Sequence, residues 1–162
     1  EYETNVEALL RDVFDMFNDD PTSPLLGLLS PAKKSRKKIS RTTFNAAVKP
    51  LVSIFTDKDT DEIYEALSSY FIAIFSGLEN LTSNPEEIIT NAIIFRSIMH
   101  VFINSAQRVK DRFGSSYTPD NFSEVLEPMF QKVQISKLKS PGKSYLDLSK
   151  YLSNLSKTEF TL

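Results

Sequence analysis

Hydrophobic residues recur at three- and four-residue spacing along almost the whole chain, which is the period of an amphipathic α-helix. In the first segment this apolar stripe consists of Val6, Leu9, Leu10, Val13 and Phe17. Thr4 and Glu7 have the spacing of a capping box, in which each side chain bonds the backbone of the other. The pattern predicts a first helix over residues 1–18 that opens at Thr4.

Start and stop signals divide the middle of the chain into further helices. Ser40 is suited to cap a second helix, which Pro50 should end or kink because proline lacks the backbone N–H. A third helix is predicted from Asp59 or Thr60 to about Asn80. Its broad apolar stripe places it at the centre of the core.

The run Asn84-Pro85-Glu86-Glu87 is a strong helix start, because it joins a capping residue, a first-turn proline and acids at the positive helix end. Helix is predicted from there to about Phe113, where Gly114 can adopt the left-handed cap conformation. A break near Thr90-Asn91 would divide this stretch into a short helix and a long one.

Thr118-Pro119-Asp120 opens another helical stretch, which Pro128 should interrupt, and Ser140-Pro141-Gly142 forms a turn. A last amphipathic helix follows on Tyr145, Leu148, Leu152 and Leu155. No strand-like alternation of useful length appears. The predicted fold is all-α: a single irregular bundle of about six to seven helices with a basic loop between the first two. Its parts are a helix (1–18), a Pro- and Lys-rich loop (19–40) and a helical core (41–162).

The composition fits one domain with a substantial core, since 41% of the 162 residues are hydrophobic and 12 are Phe. Only 4 Gly are present, which argues against a phosphate-binding glycine loop. The absence of Cys excludes disulfides and thiolate metal sites and fits a reducing cytoplasm. Apolar runs reach about four residues, far short of a membrane span. Because the chain begins at Glu1, we expect a fragment or a processed product.

Catalytic chemistry finds little support in the sequence. The single histidine, His100, lies in an apolar helical segment with no carboxylate three or four residues away, which favours a structural or surface residue over a catalytic one. Asp57, Asp59 and Asp61 lack the glycine and distal Glu of a calcium loop, so we interpret them as an acidic helix start. We therefore predict a non-enzymatic protein without metal or cofactor. An enzyme with an unrecognised carboxylate site stays open as an alternative function.

The strongest signal is a basic segment, which we define as residues 33–41. Its cations are Lys33, Lys34, Arg36, Lys37, Lys38 and Arg41. No acid interrupts them, so the segment carries +6, while the net charge of −2 leaves −8 for the rest of the chain. Six phosphate contacts would give a log–log salt slope of roughly −5.

Two interpretations of the basic segment stay open on charge alone. Its hydroxyl groups (Ser35, Ser40, Thr42 and Thr43) and the N–H groups of the second helix could add phosphate hydrogen bonds. The nearest aromatic residue is Phe44, so we expect backbone contact without sequence readout. The alternative is a solvated loop that keeps the chain soluble, or a chance likeness to a nuclear-localisation patch.

The order of features around this segment resembles a known family. The helix ends in Phe17-Asn18-Asp19-Asp20, and the features that follow it are Pro21-Thr22-Ser23-Pro24-Leu25, the basic stretch, Ile39-Ser40, Thr43-Phe44 and Lys49-Pro50-Leu51. This order resembles the segment that follows the Asp-Gly-Gln-His-Arg motif in DGQHR-domain proteins. Downstream, residues 67–74 (Leu-Ser-Ser-Tyr-Phe-Ile-Ala-Ile) are similar to a helix of the same family.

The resemblance covers roughly residues 5–105, and the Asp-Gly-Gln-His-Arg motif itself is absent from these 162 residues. It implies the helical C-terminal part of a longer protein in a DNA modification or antiphage defence system, and it assigns no catalytic residue. The leading hypothesis is thus a non-catalytic helical module that contacts a nucleic-acid backbone through the six cations, and the resemblance implies that this nucleic acid is DNA. The rival hypothesis is a protein–protein interaction module that docks a missing domain or a partner subunit.

Overall fold

The computed structural model describes residues 2–32 and 35–157. Within them the chain forms eight α-helices, one 3-10 helix and one pair of very short strands. The α-helices are α1 (Tyr2–Asp19), α2 (Arg41–Val48), α3 (Thr60–Glu79), α4 (Pro85–Ile89), α5 (Ala92–Phe113), α6 (Pro119–Lys132), α7 (Ile135–Lys139) and α8 (Tyr145–Leu155). The 3-10 helix is Lys49–Phe55, and the strands are β1 (Leu29–Ser30) and β2 (Ile39–Ser40). The all-α prediction is confirmed.

Most predicted helix starts are confirmed by their caps. The Ser40 hydroxyl accepts from the Thr43 N–H at 3.1 Å. Asp59 and Glu62 form a capping box, with the Glu62 N–H donating to the Asp59 carboxylate at 2.8 Å. The break at residues 90–91 is present as well, because the Asn91 side chain caps α5. These starts are local hydrogen-bond patterns, which explains why the sequence predicts them.

Four local expectations differ from the structure. Asn84 precedes α4 as expected, but its side chain forms no hydrogen bond that caps the helix. Helix α1 already begins at Tyr2, so Thr4 lies within its first turns instead of opening it. Helix α6 continues through Pro128 to Lys132, because the flanking Leu126 and Met129 are buried and hold the helix in place despite the missing N–H. Gly114 has the expected positive φ of 76°, but its ψ of −164° lies outside the left-handed helical region.

Aromatic rings connect the helices through the centre of the bundle. The Phe17 ring of α1 lies against the rings of Phe44, Tyr64 and Phe71, with centroid distances of 5.9, 4.6 and 5.6 Å. Tilted and edge-on arrangements at these distances add to the free energy of burial. Helices α1, α2 and α3 therefore share one core with α5, whose Phe95 ring stacks on the Phe71 ring of α3.

Helix α6 lies along α3. The rings of Tyr70 and Phe122 are 5.3 Å apart, and one turn or more further along, Gly77 faces Phe130. Residue numbers rise together in the two helices, so they run in the same direction. Helix α6 starts beside Tyr70 and leaves the first two turns of α3 beyond its own N-terminus.

Helix α8 packs on the other side of α5. The Ser97 hydroxyl, which is fully buried, reaches the Tyr145 carbonyl at 2.9 Å, and the Arg108 guanidinium donates to the Ser156 carbonyl at 3.0 Å. These two bonds fix both ends of α8. In residues 2–32 and 35–157, no helix has the length and apolar content that crossing a membrane requires.

Candidate nucleic-acid interface

The basic segment begins within a loop whose two ends are held together. Strands β1 and β2 pair in parallel with Leu29 opposite Ile39, and the Ile39 N–H donates to the Leu28 carbonyl at 2.7 Å. Leu29 and Ile39 are buried in the core. We call the segment between these two fixed points, residues 31–38, the closed loop; the structure describes its residues 31–32 and 35–38. A strand pair this short gives no alternating pattern in the sequence.

The structure describes four of the six predicted cations, in two different settings. Lys33 and Lys34 lie outside the described residues. Arg36, Lys37 and Lys38 are exposed at the end of the closed loop, in a turn where the Lys38 N–H donates to the Ser35 carbonyl at 3.2 Å. Arg41 follows on the first turn of α2. The described cations of the loop therefore lie together, and Arg41 is separate from them.

Arg36, Lys37 and Lys38 make no salt bridge within the described part of the chain. Lys37 borders a surface depression that Glu86 and Glu87 also line, so acids are near one side of the loop. Among the described residues other than glycine, Lys37 alone has a positive φ, of 62°. A lysine in this backbone region is strained relative to glycine or asparagine.

Arg41 is occupied by contacts within the protein. Its Nε donates to the Pro31 carbonyl at 3.2 Å, and its Nη2 lies 3.6 Å from the Asp15 carboxylate. The guanidinium also lies over the Phe14 ring, 4.1 Å from its centroid. Arg41 thus joins α1, α2 and the start of the closed loop.

The hydroxyl groups near the cations are only partly free. Ser40 uses its side chain to cap α2 and also bonds the Thr43 hydroxyl at 3.1 Å, whereas Ser35 and Thr42 are exposed. Phe44 is fully buried and unable to stack on a base. The available chemistry is that of charge and a few hydroxyl groups, which suits phosphate oxygens.

The other candidate chemistry stays dispersed. His100 is exposed on α5, in agreement with a surface histidine, and its ring centroid lies 6.3 Å from that of Tyr145. Asp59 serves as a helix cap. Across the described ranges, no group of three or more His, Cys, Asp or Glu side chains is placed to hold a metal ion.

A second lysine-rich surface escaped the sequence reasoning. Residues 132–157 contain six lysines and a single acid, Asp147. All six are exposed, at the end of α6, on α7 and α8 and in the neighbouring turns: Lys132, Lys137, Lys139, Lys143, Lys150 and Lys157. Their wide spacing hides them in a scan for charge runs, although a count over a longer window finds them.

The structure also contains a groove that the sequence did not indicate. It has a volume of about 500 Å³ and lies between the 3-10 helix, the first two turns of α3 and the second half of α5. We call it the α3–α5 groove. Its apolar residues include Ile54 and Ile103, which are exposed in the structure. The sequence gives only a weak sign of the groove, because a helical stripe does not reveal which of its apolar residues lack a neighbour.

Comparison with known proteins identifies no relative: no family model, no curated protein and no solved structure matches the chain.

Proposed function

We propose that this chain is a non-catalytic helical module that contacts a nucleic-acid backbone through the basic segment. The observation that carries the proposal is the group Arg36, Lys37 and Lys38, which is exposed, adjacent and without salt bridges in the described residues. Lysine and arginine in this state bind phosphates and release condensed counterions. Lys33 and Lys34 belong to the same loop and would extend the contact to five cations.

The closed loop supports this function because its ends are fixed. The buried pair Leu29 and Ile39 holds both ends against the core, so the cations between them extend from a fixed base. Outside the basic segment and residues 132–157 the chain carries −13 and repels a polyanion, so the approach is restricted to these two lysine-rich surfaces. Lys37 occupies a backbone conformation in which glycine would be less strained, and such local strain supports a functional role for its charge.

Arg41 has a positioning role in this proposal. Its contacts with Phe14, Asp15 and Pro31 hold the start of the closed loop against α1. We therefore count five phosphate contacts where the sequence suggested six.

The family setting belongs to the same proposal. The order of features from Phe17 to Leu51 resembles DGQHR-domain proteins, which favours DNA as the nucleic acid and a cytoplasmic DNA modification or defence system as the context. The binding experiment tests the nucleic-acid contact independently of this resemblance.

The test is the salt dependence of binding to a fluorescently labelled DNA duplex, measured by anisotropy. Five contacts predict a slope of about −4.5 and a loss of about 500-fold in affinity between ~50 and ~200 mM salt. Replacing the five loop cations by Gln should abolish binding at low salt. Arg41→Gln should leave the slope unchanged, because it removes no phosphate contact.

The second lysine-rich surface provides a control with the same loss of charge. Its variant replaces five exposed lysines by Gln: Lys137, Lys139, Lys143, Lys150 and Lys157. Binding should persist in this variant. Loss of binding here with retention in the loop variant would place the contact on α7 and α8 and overturn the proposal, as would an absence of DNA binding by the unmodified protein.

A further inference from the structure

Small side chains on both helices line the α3–α5 groove. Ala66 of α3 and Ala106 of α5 line it, and neither side chain is large enough to fill the space between them. Phe55 and Phe102 add aromatic surface, with ring centroids 5.9 Å apart. The groove is therefore an apolar depression that accepts side chains from outside.

Its position in the fold indicates the shape of the occupant. Helix α6 covers the surface between α3 and α5 only from Tyr70 onward, and Tyr117, just before α6, lines the end of the groove. The groove thus continues the path of α6 along the two helices that α6 packs against. A surface between two adjacent helices is the ordinary seat of a third helix.

Two exposed apolar residues add to the lining of the groove. Ile103 of α5 is 37% exposed, and Ile54 of the 3-10 helix is 46% exposed. On α5 the lining positions Ile103, Ala106 and Lys110 recur at helical spacing over two turns, about 11 Å. That length matches a helix that inserts apolar residues at positions i, i+4 and i+7.

The charges on the rim give the occupant an orientation. Asp61 and Glu65 lie one turn apart on the α3 side, and both are exposed without a salt bridge in the described residues. Glu62 is paired with Lys58 at 3.6 Å. Lys110 lies on the α5 side, also without a salt bridge there. One rim is therefore acidic and the other carries a cation.

We infer that the α3–α5 groove docks an amphipathic helix of a partner protein, with an apolar ridge in the groove and Lys or Arg along the flank that faces Asp61 and Glu65. The opposite flank of the partner carries an acid toward Lys110. Such charge pairs at the edge of an interface set orientation and partner choice more than affinity.

The experiment uses two synthetic helical peptides, each internally cross-linked because short free helices are marginal in water. They share the same leucines at i, i+4 and i+7. One carries Lys on the flank toward α3 and Glu on the other flank, and the second has these charges exchanged. We expect the first peptide to bind the unmodified protein about tenfold more tightly in an anisotropy titration, since each exposed charge pair contributes modestly.

Two variants test the charge and the cavity separately. Asp61→Lys with Glu65→Lys should reverse the preference between the peptides, and Asp61→Asn with Glu65→Gln should remove it while avoiding a cation at the helix start. Ala106→Leu fills the groove and should weaken both peptides at least tenfold, with DNA binding unchanged.

Equal affinity for the two peptides, binding that Ala106→Leu leaves intact, or no binding of either peptide would each overturn the inference. Circular dichroism melts of every variant establish that the fold is retained. Since the basic segment is untouched in all of them, failure here leaves the nucleic-acid proposal standing, and failure of DNA binding leaves the groove standing.

Discussion

The surface between α3 and α5 is closed along one part and open along the other. In the closed part, α6 packs on it through Phe122 against Tyr70 and through Phe130 against Gly77. In the open part, Ala66 and Ala106 line the α3–α5 groove, which no α-helix of the described residues fills. Both parts belong to the same two helices, so the difference lies in whether the described part of the chain supplies a third α-helix.

The two parts also differ in the side chains that they use. The closed part combines large aromatic rings with a glycine that admits them, which is the close packing of a protein interior. The open part combines alanines with exposed isoleucines and a charged rim. Contacts in the closed part should therefore contribute most to the free energy of unfolding, and contacts in the open part should contribute little.

The largest contrast is expected between two isoleucines of α5. Ile98 is 4% exposed, whereas Ile103 at the groove is 37% exposed. Ile98→Ala should lower the free energy of unfolding by about 2–4 kcal/mol through lost burial and a cavity, and Ile103→Ala by less than about 1 kcal/mol. Urea unfolding measures both. The helix and the substitution are the same, so the change in helix propensity is common to both variants. Equal losses would show that the open part is as tightly packed as the closed one.

The second contrast concerns the glycine of the closed part. A methyl group at Gly77 would overlap the Phe130 ring, whose Cγ lies 2.6 Å from the added atom. Glycine to alanine within a helix ordinarily stabilises by about 1 kcal/mol, but here we expect a loss of about 1–3 kcal/mol because α3 and α6 must separate.

A double-mutant cycle isolates the cause. Phe130→Ala removes the ring, so Gly77→Ala in that background should become neutral or stabilising, as measured by urea unfolding. A Gly77→Ala variant that is more stable than the unmodified protein would contradict the proposed close contact of α3 and α6.

Helix starts were predictable because their causes are local. Ser40, Asp59 and Asn91 each cap a helix within three residues of themselves. The expected interruption at Pro128 was wrong, since its outcome depends on packing against other helices. Sequence signals therefore predict where helices begin better than they predict where tertiary packing keeps a helix intact against a local break signal.

The candidate sites show the same division. The charge of the basic segment is contiguous and visible in the sequence. The contacts of Arg41 come from Phe14, Asp15 and Pro31, which are ten or more residues away, so its role could not be predicted from spacing. The groove is assembled from three separate elements, and its isoleucines look like ordinary core positions in the sequence.

Tyr70 lies at the boundary between the closed and the open part, and it offers the smallest and most specific contrast. Its hydroxyl donates to the Ile98 carbonyl at 2.6 Å, and its ring lies 5.0 Å from that of Phe102, which reaches the groove. Tyr70→Phe removes one buried hydrogen bond and should lower the free energy of unfolding by about 1 kcal/mol at neutral pH. Urea unfolding at pH 7 measures this loss.

The pH dependence of stability in Tyr70→Phe separates two effects of the substitution: the loss of the hydrogen bond to Ile98 and the loss of a buried phenol that cannot ionise. Burial raises the pKa of Tyr70 strongly, so the folded protein keeps the phenol neutral. The stability that this provides is complete below the unfolded pKa of about 10 and is lost as the pH rises above it, because the unfolded chain then ionises and the folded one does not. The unmodified protein should therefore lose stability more steeply than Tyr70→Phe between about pH 10 and 11. Tyr64, whose pKa is also raised by burial and then by Asp20, remains in both proteins, so the slope is reduced and not abolished.

Tyr117→Phe, at the end of the groove, controls for the loss of a phenol outside the closed part. Identical alkaline slopes in the unmodified protein and Tyr70→Phe would mean that the boundary tyrosine is reached by solvent and that the groove extends into the closed part.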